Sequence, residues 1–254
     1  MCLIAWSWKP ESATPLVLLS NRDEFYARPA MPVHWWEPAT SGNEVLAGKD
    51  LQAGGTWLGV SRTGRLAALT NYRSGVLQRP DAPSRGSLVT GFLQGHMSAA
   101  AYVKRLVRTA NSYNPFNLLV FDGVSLMGLE SRDARVVEMQ PGIGGVSNAD
   151  FHTPWPKLMH LKHQLRSHLE EGVVDEAQLL WLLRENSAAP DSLLPRTGVP
   201  LELERALSSV FIATPQYGTR ASSVVKLHET HVDFAEQRFD ATGFVAATHL
   251  SFPL

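Results

Sequence analysis

The sequence predicts an α+β fold, because its strand-like segments come in consecutive runs with the helical segments grouped between them. Turn residues divide the apolar runs into hairpin-sized pieces. Strict alternation of strand and helix, the mark of a doubly wound parallel sheet, is absent. At 254 residues the chain fits one domain, 1–254, and no linker or internal repeat divides it.

Segments 2–8 and 16–20 are short and apolar, and the turn-prone stretch 9–15 joins them as a hairpin. Segment 28–40 is expected to be irregular, since Pro29, Pro32 and Pro38 deny a regular ladder. Segments 56–61 and 65–71 flank Arg62-Thr63-Gly64 as a second hairpin. Helices are expected at 87–95 and 98–110; in the second, Ser98 caps and Tyr102, Leu106 and Val107 follow at helical spacing. Strands return at 117–121, 125–130, 134–139 and 145–148, divided by Asp122-Gly123, Arg132-Asp133 and Pro141-Gly142. The clearest helix spans 156–171, with Leu158, Leu161, Leu165 and Leu169 on one face. Another covers 175–185, and the tail returns to strand at 209–213, 221–228 and 231–239.

Hydrophobic residues make up 44% of the chain and charged residues 19%, which supplies a core and excludes disorder. The net charge of −1 gives no drive towards a phosphate backbone or an anionic bilayer, so a nucleic-acid partner is not expected. The first residues lack a basic n-region, and no stretch reaches the roughly 18 apolar residues of a membrane-spanning helix. A cytoplasmic location without a transmembrane segment is therefore expected. Cys2 is the only cysteine, which rules out an intrachain disulfide and an all-cysteine metal site.

Cys2 is the first chemical candidate. Removal of Met1 would give it a free α-amine; its thiol (reference pKa about 8.5) and amine (about 8) would then form a nucleophile–base pair near neutrality. The alternative is a small buried strand residue. The second candidate is Ser20-Asn21-Arg22-Asp23-Glu24, which places charge at the end of the second strand, near Cys2 if the hairpin forms. A solvated turn with a local ion pair is the plainer reading. Third, Asn71 and Asn148 each end an apolar strand, where a side-chain amide is a suitable oxyanion donor or a turn former. Arg220 enters a late strand beside small polar residues. Trp35-Trp36 in the Pro-rich segment offers a pocket wall for an apolar ligand. His160, His163 and His168 lie on or near one helix, and His228 and His231 flank a strand turn. Metal or haem ligation is open to them, but helical histidines off the apolar face are usually solvated, and no carboxylate falls beside them in a recognised ligand pattern. Gly142-x-Gly144 lacks the third glycine and the helix of a dinucleotide fingerprint.

Taken together, Met1-Cys2-Leu3-Ile4, Ser20-Asn21-Arg22-Asp23-Glu24 with Arg28-Pro29, Gly54-Gly55-Thr56-Trp57-Leu58-Gly59, Leu69-Thr70-Asn71-Tyr72-Arg73, Gly145-Val146-Ser147-Asn148 and Tyr217-Gly218-Thr219-Arg220 resemble, in order, the signatures of the NRDE family. It is also called the transport and Golgi organisation protein 2 family. The resemblance implies the N-terminal-nucleophile hydrolase fold: two antiparallel sheets packed face to face between layers of helices, an αββα sandwich. Within that fold it is most similar to the cysteine branch of penicillin V acylase and bile-salt hydrolase. It implies that Cys2 is the nucleophile and that Arg22 and Asp23 lie close to it. Asn71 and Asn148 would contact the oxyanion or the amine, and Arg220 would be a late active-site arginine. Asn21, Glu24, Trp35, Trp36 and Tyr72 are the ligand-binding candidates beside them. The branch spaces its Arg and Asp several residues apart, whereas Arg22 and Asp23 are adjacent; on a strand they face opposite ways unless a turn starts between them.

The expected function is a hydrolase or acyltransferase acting on a non-peptide amide or thioester, with no cofactor required. The family's association with haem trafficking and with lipid or acyl-coenzyme A metabolism implies a rival, a binding protein on the same scaffold. In that reading haem is the ligand or cargo, Cys2 a thiolate ligand, and the Trp35-Trp36 loop and the histidines supporting residues.

Overall fold

The computed structural model describes residues 2–37, 42–73, 78–172 and 174–254. In chain order its strands are β1 (Cys2–Trp8), β2 (Leu16–Phe25), β3 (Ala30–Trp35), β4 (Val45–Asp50), β5 (Leu58–Ser61), β6 (Leu66–Asn71), β7 (Phe116–Phe121), β8 (Leu126–Glu130), β9 (Arg135–Glu138), β10 (Gly142–Val146), β11 (Tyr217–Leu227), β12 (His231–Asp240) and β13 (Gly243–Pro253). The helices are α1 (Gly86–Gln94), α2 (Ala99–Leu106), α3 (Pro156–Glu170), α4 (Glu176–Leu182) and α5 (Leu201–Ala206). One six-stranded sheet runs β10-β1-β2-β11-β12-β13, and one seven-stranded sheet runs β3 to β9 in sequence order. Every named pairing is antiparallel.

Period-two alternation explains the layers. In β1, Ile4, Trp6 and Trp8 point at the other sheet and join Leu16, Leu18, Leu58, Leu66 and Leu119 in the inner core. Leu3 and Ala5 point away and pack against Leu158, Leu161 and Leu165 of α3 and Leu179 of α4. On the far side, Ala67 and Leu69 of β6 meet Leu88, Phe92 and Val103 of α1 and α2. The result is the αββα sandwich. A fully buried Leu or Phe in these layers contributes about 1.5–3 kcal/mol, so three apolar layers sharing two sheets dominate the stability. Gly145 lets α3 approach closely, since a Cβ there would lie 2.5 Å from Leu158 Cδ1. Ser98 caps α2 as expected, its Oγ accepting from the Ala101 N–H at 3.3 Å.

The structure departs from the sequence expectations in several places. Within 28–40, Ala30–Trp35 is a strand; Pro32 is tolerated because β3 is an edge strand and its register shifts between Met31 and His34. Pro38 lies outside the described residues. Segment 209–213 is not a strand: it folds back on the start of β11 with a single bridge, Ala213 to Gly218, because β12 takes that edge of β11 from Ala221 on and leaves only its first residues open. β4, β13 and α5 were not anticipated. β13 is an edge strand in which, among its hydrophobic residues, only Phe252 is buried, so its apolar signal is weak. Among the described residues no helix is long and apolar enough to cross a membrane.

Candidate active site

Cys2 opens β1 and pairs in register with Arg22 of β2, which in turn sits opposite Ala221 of β11. Directly paired residues share a face, so Cys2 and Arg22 both point towards the second sheet. There a cleft of about 950 Å³ opens, with Cys2, Arg22, Asp23, Trp57, Asn71 and Arg85 in its wall. Cys2 is buried. Burial pushes its thiol up and the Asp23 charge adds to this, while Arg22 and the Asp23 backbone N–H act against it.

β2 stays extended to Phe25, so no turn starts between Arg22 and Asp23 and their side chains diverge. Arg22 stacks over Trp57, 4.4 Å from the ring centroid, and its Nη2 donates to Asp50 Oδ2 at 3.1 Å. Arg28 Nε donates to the same oxygen at 2.7 Å, and the Gln52 and Ala53 N–H groups donate to Oδ1 at 3.0 Å each. Burial would raise the Asp50 carboxyl, but the bonds from Arg28 and Ala53 and the Arg28 and Arg22 charges outweigh it and hold it below the usual carboxylate range. Arg22 Nη1 is buried without a hydrogen-bond partner among the described residues. Glycine makes this wall: Gly54 has φ +76°, and a Cβ on Gly55 would come within 2.4 Å of the Gly86 backbone at the start of α1.

Asp23 turns to the helix side. Its Oδ1 accepts from Thr219 Oγ1 at 2.8 Å and its carbonyl from the Tyr217 hydroxyl at 2.9 Å. Burial raises this carboxyl, against the charge of Lys157. Lys157, in the first turn of α3, is itself buried, and that burial brings it down to about 8 despite the attraction of Asp23. Behind it, Arg73 Nη1 donates to Glu204 Oε2 at 2.7 Å, both side chains sealed from solvent. On the cleft rim Arg79 and Arg85 donate to backbone carbonyls of Tyr113 and Pro115, not to carboxylates.

The other sequence candidates divide. Glu24 lines the cleft and lies 3.8 Å from Arg28. Asn71 lines it too, at the end of β6. Asn148 is fully buried, and its Nδ2 donates to the Asn71 carbonyl at 2.8 Å; it therefore positions Asn71 and does not face the cleft. Arg220 is not in the cleft wall, since its Nη1 donates to the carbonyls of Phe25, Tyr26 and Arg28 and its Nε to Phe239. Asn21 faces the helix layer, with Nδ2 donating to the Leu183 and Val210 carbonyls and Oδ1 accepting from Ser222, so it has no group left for a ligand. Trp35 packs on Phe252, and Trp36 donates Nε1–H to the Ala47 carbonyl; neither lines the cleft. Tyr72 accepts from Arg132 at the surface. The tryptophan that does form a wall is Trp57, and the sequence reading assigned no role to it, to Asp50, to Arg85 or to Lys157. Only Trp57, within the quoted Gly54–Gly59 motif, carried a signal.

Residues 1–241 match the family described as Transport and Golgi organisation 2. The chain is 37% identical over 276 residues to the Transport and Golgi organization protein 2 homolog of Bos taurus, covering 98% of each chain. It is 34% identical to the Homo sapiens homolog, covering 93% of this chain and 92% of that protein. The fold is similar to that of the C2A mutant of conjugated bile acid hydrolase from Clostridium perfringens, with a TM-score of 0.56, 8% identity and coverage of 100% and 92%. It is also similar to the N-acylethanolamine-hydrolyzing acid amidase ortholog of Caenorhabditis elegans, at 0.50 with 13% identity and coverage of 88% and 92%. These likenesses establish the N-terminal-nucleophile hydrolase fold. By sequence along almost its whole length, the chain belongs to the Transport and Golgi organisation 2 family.

Proposed function

We propose that the protein is a hydrolase or acyltransferase that cleaves a non-peptide amide or thioester through Cys2. The observation that carries this reading is the placement of a buried thiol in the wall of a large cleft, with Arg22 at its register position and the Asn71 residue beside it. Because burial keeps the thiol protonated, attack needs a base close by. Removal of Met1 supplies one, the α-amine of Cys2, which Asp23 and Lys157 orient from the helix side. The amine takes the thiol proton and sulfur bonds to the acyl carbon. The Asn71 amide donates to the oxyanion, and the C–N or C–S bond breaks as the amine returns its proton to the leaving group. Water, or an acceptor in the transferase case, then attacks the acyl–sulfur bond and regenerates the thiol. Asn148 acts through Asn71, and Arg220 holds the turn after β2.

Two measurements test this. The intact mass of untagged protein from its native host is expected to lack Met1. Turnover of an acyl amide or thioester panel is expected to disappear in Cys2→Ala with the fold retained; turnover that survives the substitution ends the proposal. A second reading, haem binding, is favoured by the cleft's volume and its apolar Trp57, Leu69 and Leu207 beside Cys2. No histidine lines the cleft among the described residues, so in that reading Cys2 would be the residue that holds the haem iron. Haem titration would then give a Soret shift that Cys2→Ala removes.

A further inference from the structure

At the opposite end of the six-stranded sheet the β11–β12 turn gathers His228, His231 and Asp233. Leu227 pairs with Val232, so His228 and His231 are the next pair across the turn, and the His228 N–H donates to the His231 carbonyl at 2.9 Å. Asp233 follows two residues after His231 and shares its face. The three ligand atoms lie within 4.8 Å of one another. His228 Nε2 is 3.1 Å and His231 Nε2 3.7 Å from the same oxygen, Asp233 Oδ2. Tetrahedral ligands at about 2.0–2.2 Å from a zinc ion stand roughly 3.4 Å apart, which these separations bracket.

The second ring nitrogens are also held. Thr14 Oγ1, from the β1–β2 connection, lies 2.9 Å from His228 Nδ1, and Thr230 Oγ1 lies 3.1 Å from His231 Nδ1. Without an ion, His228 Nε2–H donates to Asp233 Oδ2; an ion displaces that proton, and an Nδ1–H bound to the threonine oxygen then fixes the Nε2-ligating tautomer, as around metal-ligating histidines. The sheet register places the group about 20 Å from Cys2, six residues along β11 at about 3.3 Å each, so it is separate from the cleft.

We propose that His228, His231 and Asp233 bind a zinc-class divalent cation, with the fourth position left to water. Two imidazoles and one carboxylate suit zinc, cobalt(II), nickel(II) and copper(II) and do not suit calcium or magnesium. Besides that proton shift, binding requires two movements. The rings now stack with centroids 4.0 Å apart and planes 7° from parallel, and this stack must open for both lone pairs to converge. Lys226 Nζ, 3.3 Å from Asp233 Oδ2, must swing away. The bound ion would tie the β1–β2 turn to the β11–β12 turn through Thr14.

The test is titration of the full-length protein with cobalt(II), followed by its visible d–d absorption, and with zinc by calorimetry. One equivalent is expected to bind, with an intense tetrahedral-type cobalt spectrum. His228→Ala, His231→Ala and Asp233→Asn should each abolish it, and Thr14→Val should weaken it about 10- to 100-fold. Lys226→Met should tighten binding several-fold, a gain that misfolding cannot produce. The proposal is overturned if wild type and Lys226→Met both fail to bind one equivalent. It is also overturned if binding survives His228→Ala with His231→Ala, or is removed by Cys2→Ala alone.

Discussion

Two of the carboxylates that pair with arginines in this molecule, Glu204 and Asp50, do so in opposite ways. Glu204 takes one arginine, Arg73, in a sealed pair, and its other oxygen accepts from the Thr197 N–H and hydroxyl at 2.9 and 2.6 Å. Asp50 takes two, Arg22 and Arg28, beside an open cleft. The first arrangement balances charge and satisfies the carboxylate, as a purely structural pair behind the sheet should. The second shares one carboxylate between two arginines, with Glu24 3.8 Å from Arg28, and leaves Arg22 Nη1 without a hydrogen-bond partner among the described residues. The same residue types therefore build a fastening in one place and part of an open cleft wall in the other.

Breaking the sealed pair gives the largest expected effect. Glu204→Ala removes the carboxylate that accepts from the buried Arg73 Nη1 and should cost about 3–5 kcal/mol, read as a fall in denaturant midpoint. Replacing both partners with apolar residues of similar size should recover most of that loss. If Glu204→Ala unfolds at the wild-type midpoint, the pair is not structural and the contrast with Asp50 disappears.

A third carboxylate sharpens the comparison because neither strategy serves it. Glu236 accepts from the Val33 N–H at 2.9 Å, joining the two sheets, and burial pushes it up to about 7 against that bond and the Arg238 and Arg22 charges. Its folded-state pKa lies above the unfolded value, so the native state holds the extra proton and stability falls as pH rises from about 4.5 to about 7. The span corresponds to roughly 3 kcal/mol. Glu236→Gln should flatten this dependence and make the protein more stable than wild type at pH 8. An unchanged slope in chemical denaturation across that range would contradict the assignment.

Asp50→Asn gives the smallest stability change. Asp50 is partly solvated, and the expected cost is about 1 kcal/mol. Its effect on turnover or ligand affinity should be far larger than on melting temperature, since Arg22 and Arg28 lose their anchor beside Cys2. An effect on stability as large as that of Glu204→Ala would place both carboxylates in the structural class.

Much of the fold was legible from period and punctuation. The β5–β6 hairpin, the strands of the central run, α2 with its Ser98 cap and α3 with its leucine face follow from local pattern. β3 was missed because its prolines deny a ladder everywhere except at an edge or a bulge, and edge position is not a local property. The site was legible where covalent position decides, as with Cys2 and the adjacent, diverging Arg22 and Asp23. It was not legible where a polar side chain is consumed by backbone from elsewhere. Asn21 and Arg220 look like ligand contacts in sequence, but carbonyls of Leu183, Val210, Phe239 and the turn after β2 occupy them. In the same way, His228 gained its carboxylate neighbour, Asp233, only through hairpin register.

By itself the sequence determined the helices and strands with a clear local pattern, the lone thiol at position 2 and the membership of a recognisable family, because these depend on residue identity and short-range spacing. Tertiary structure alone decided which polar groups face the cleft. A buried carbonyl and a ligand make the same demand on an amide or a guanidinium, and only the packed arrangement of distant segments determines which of them that group meets.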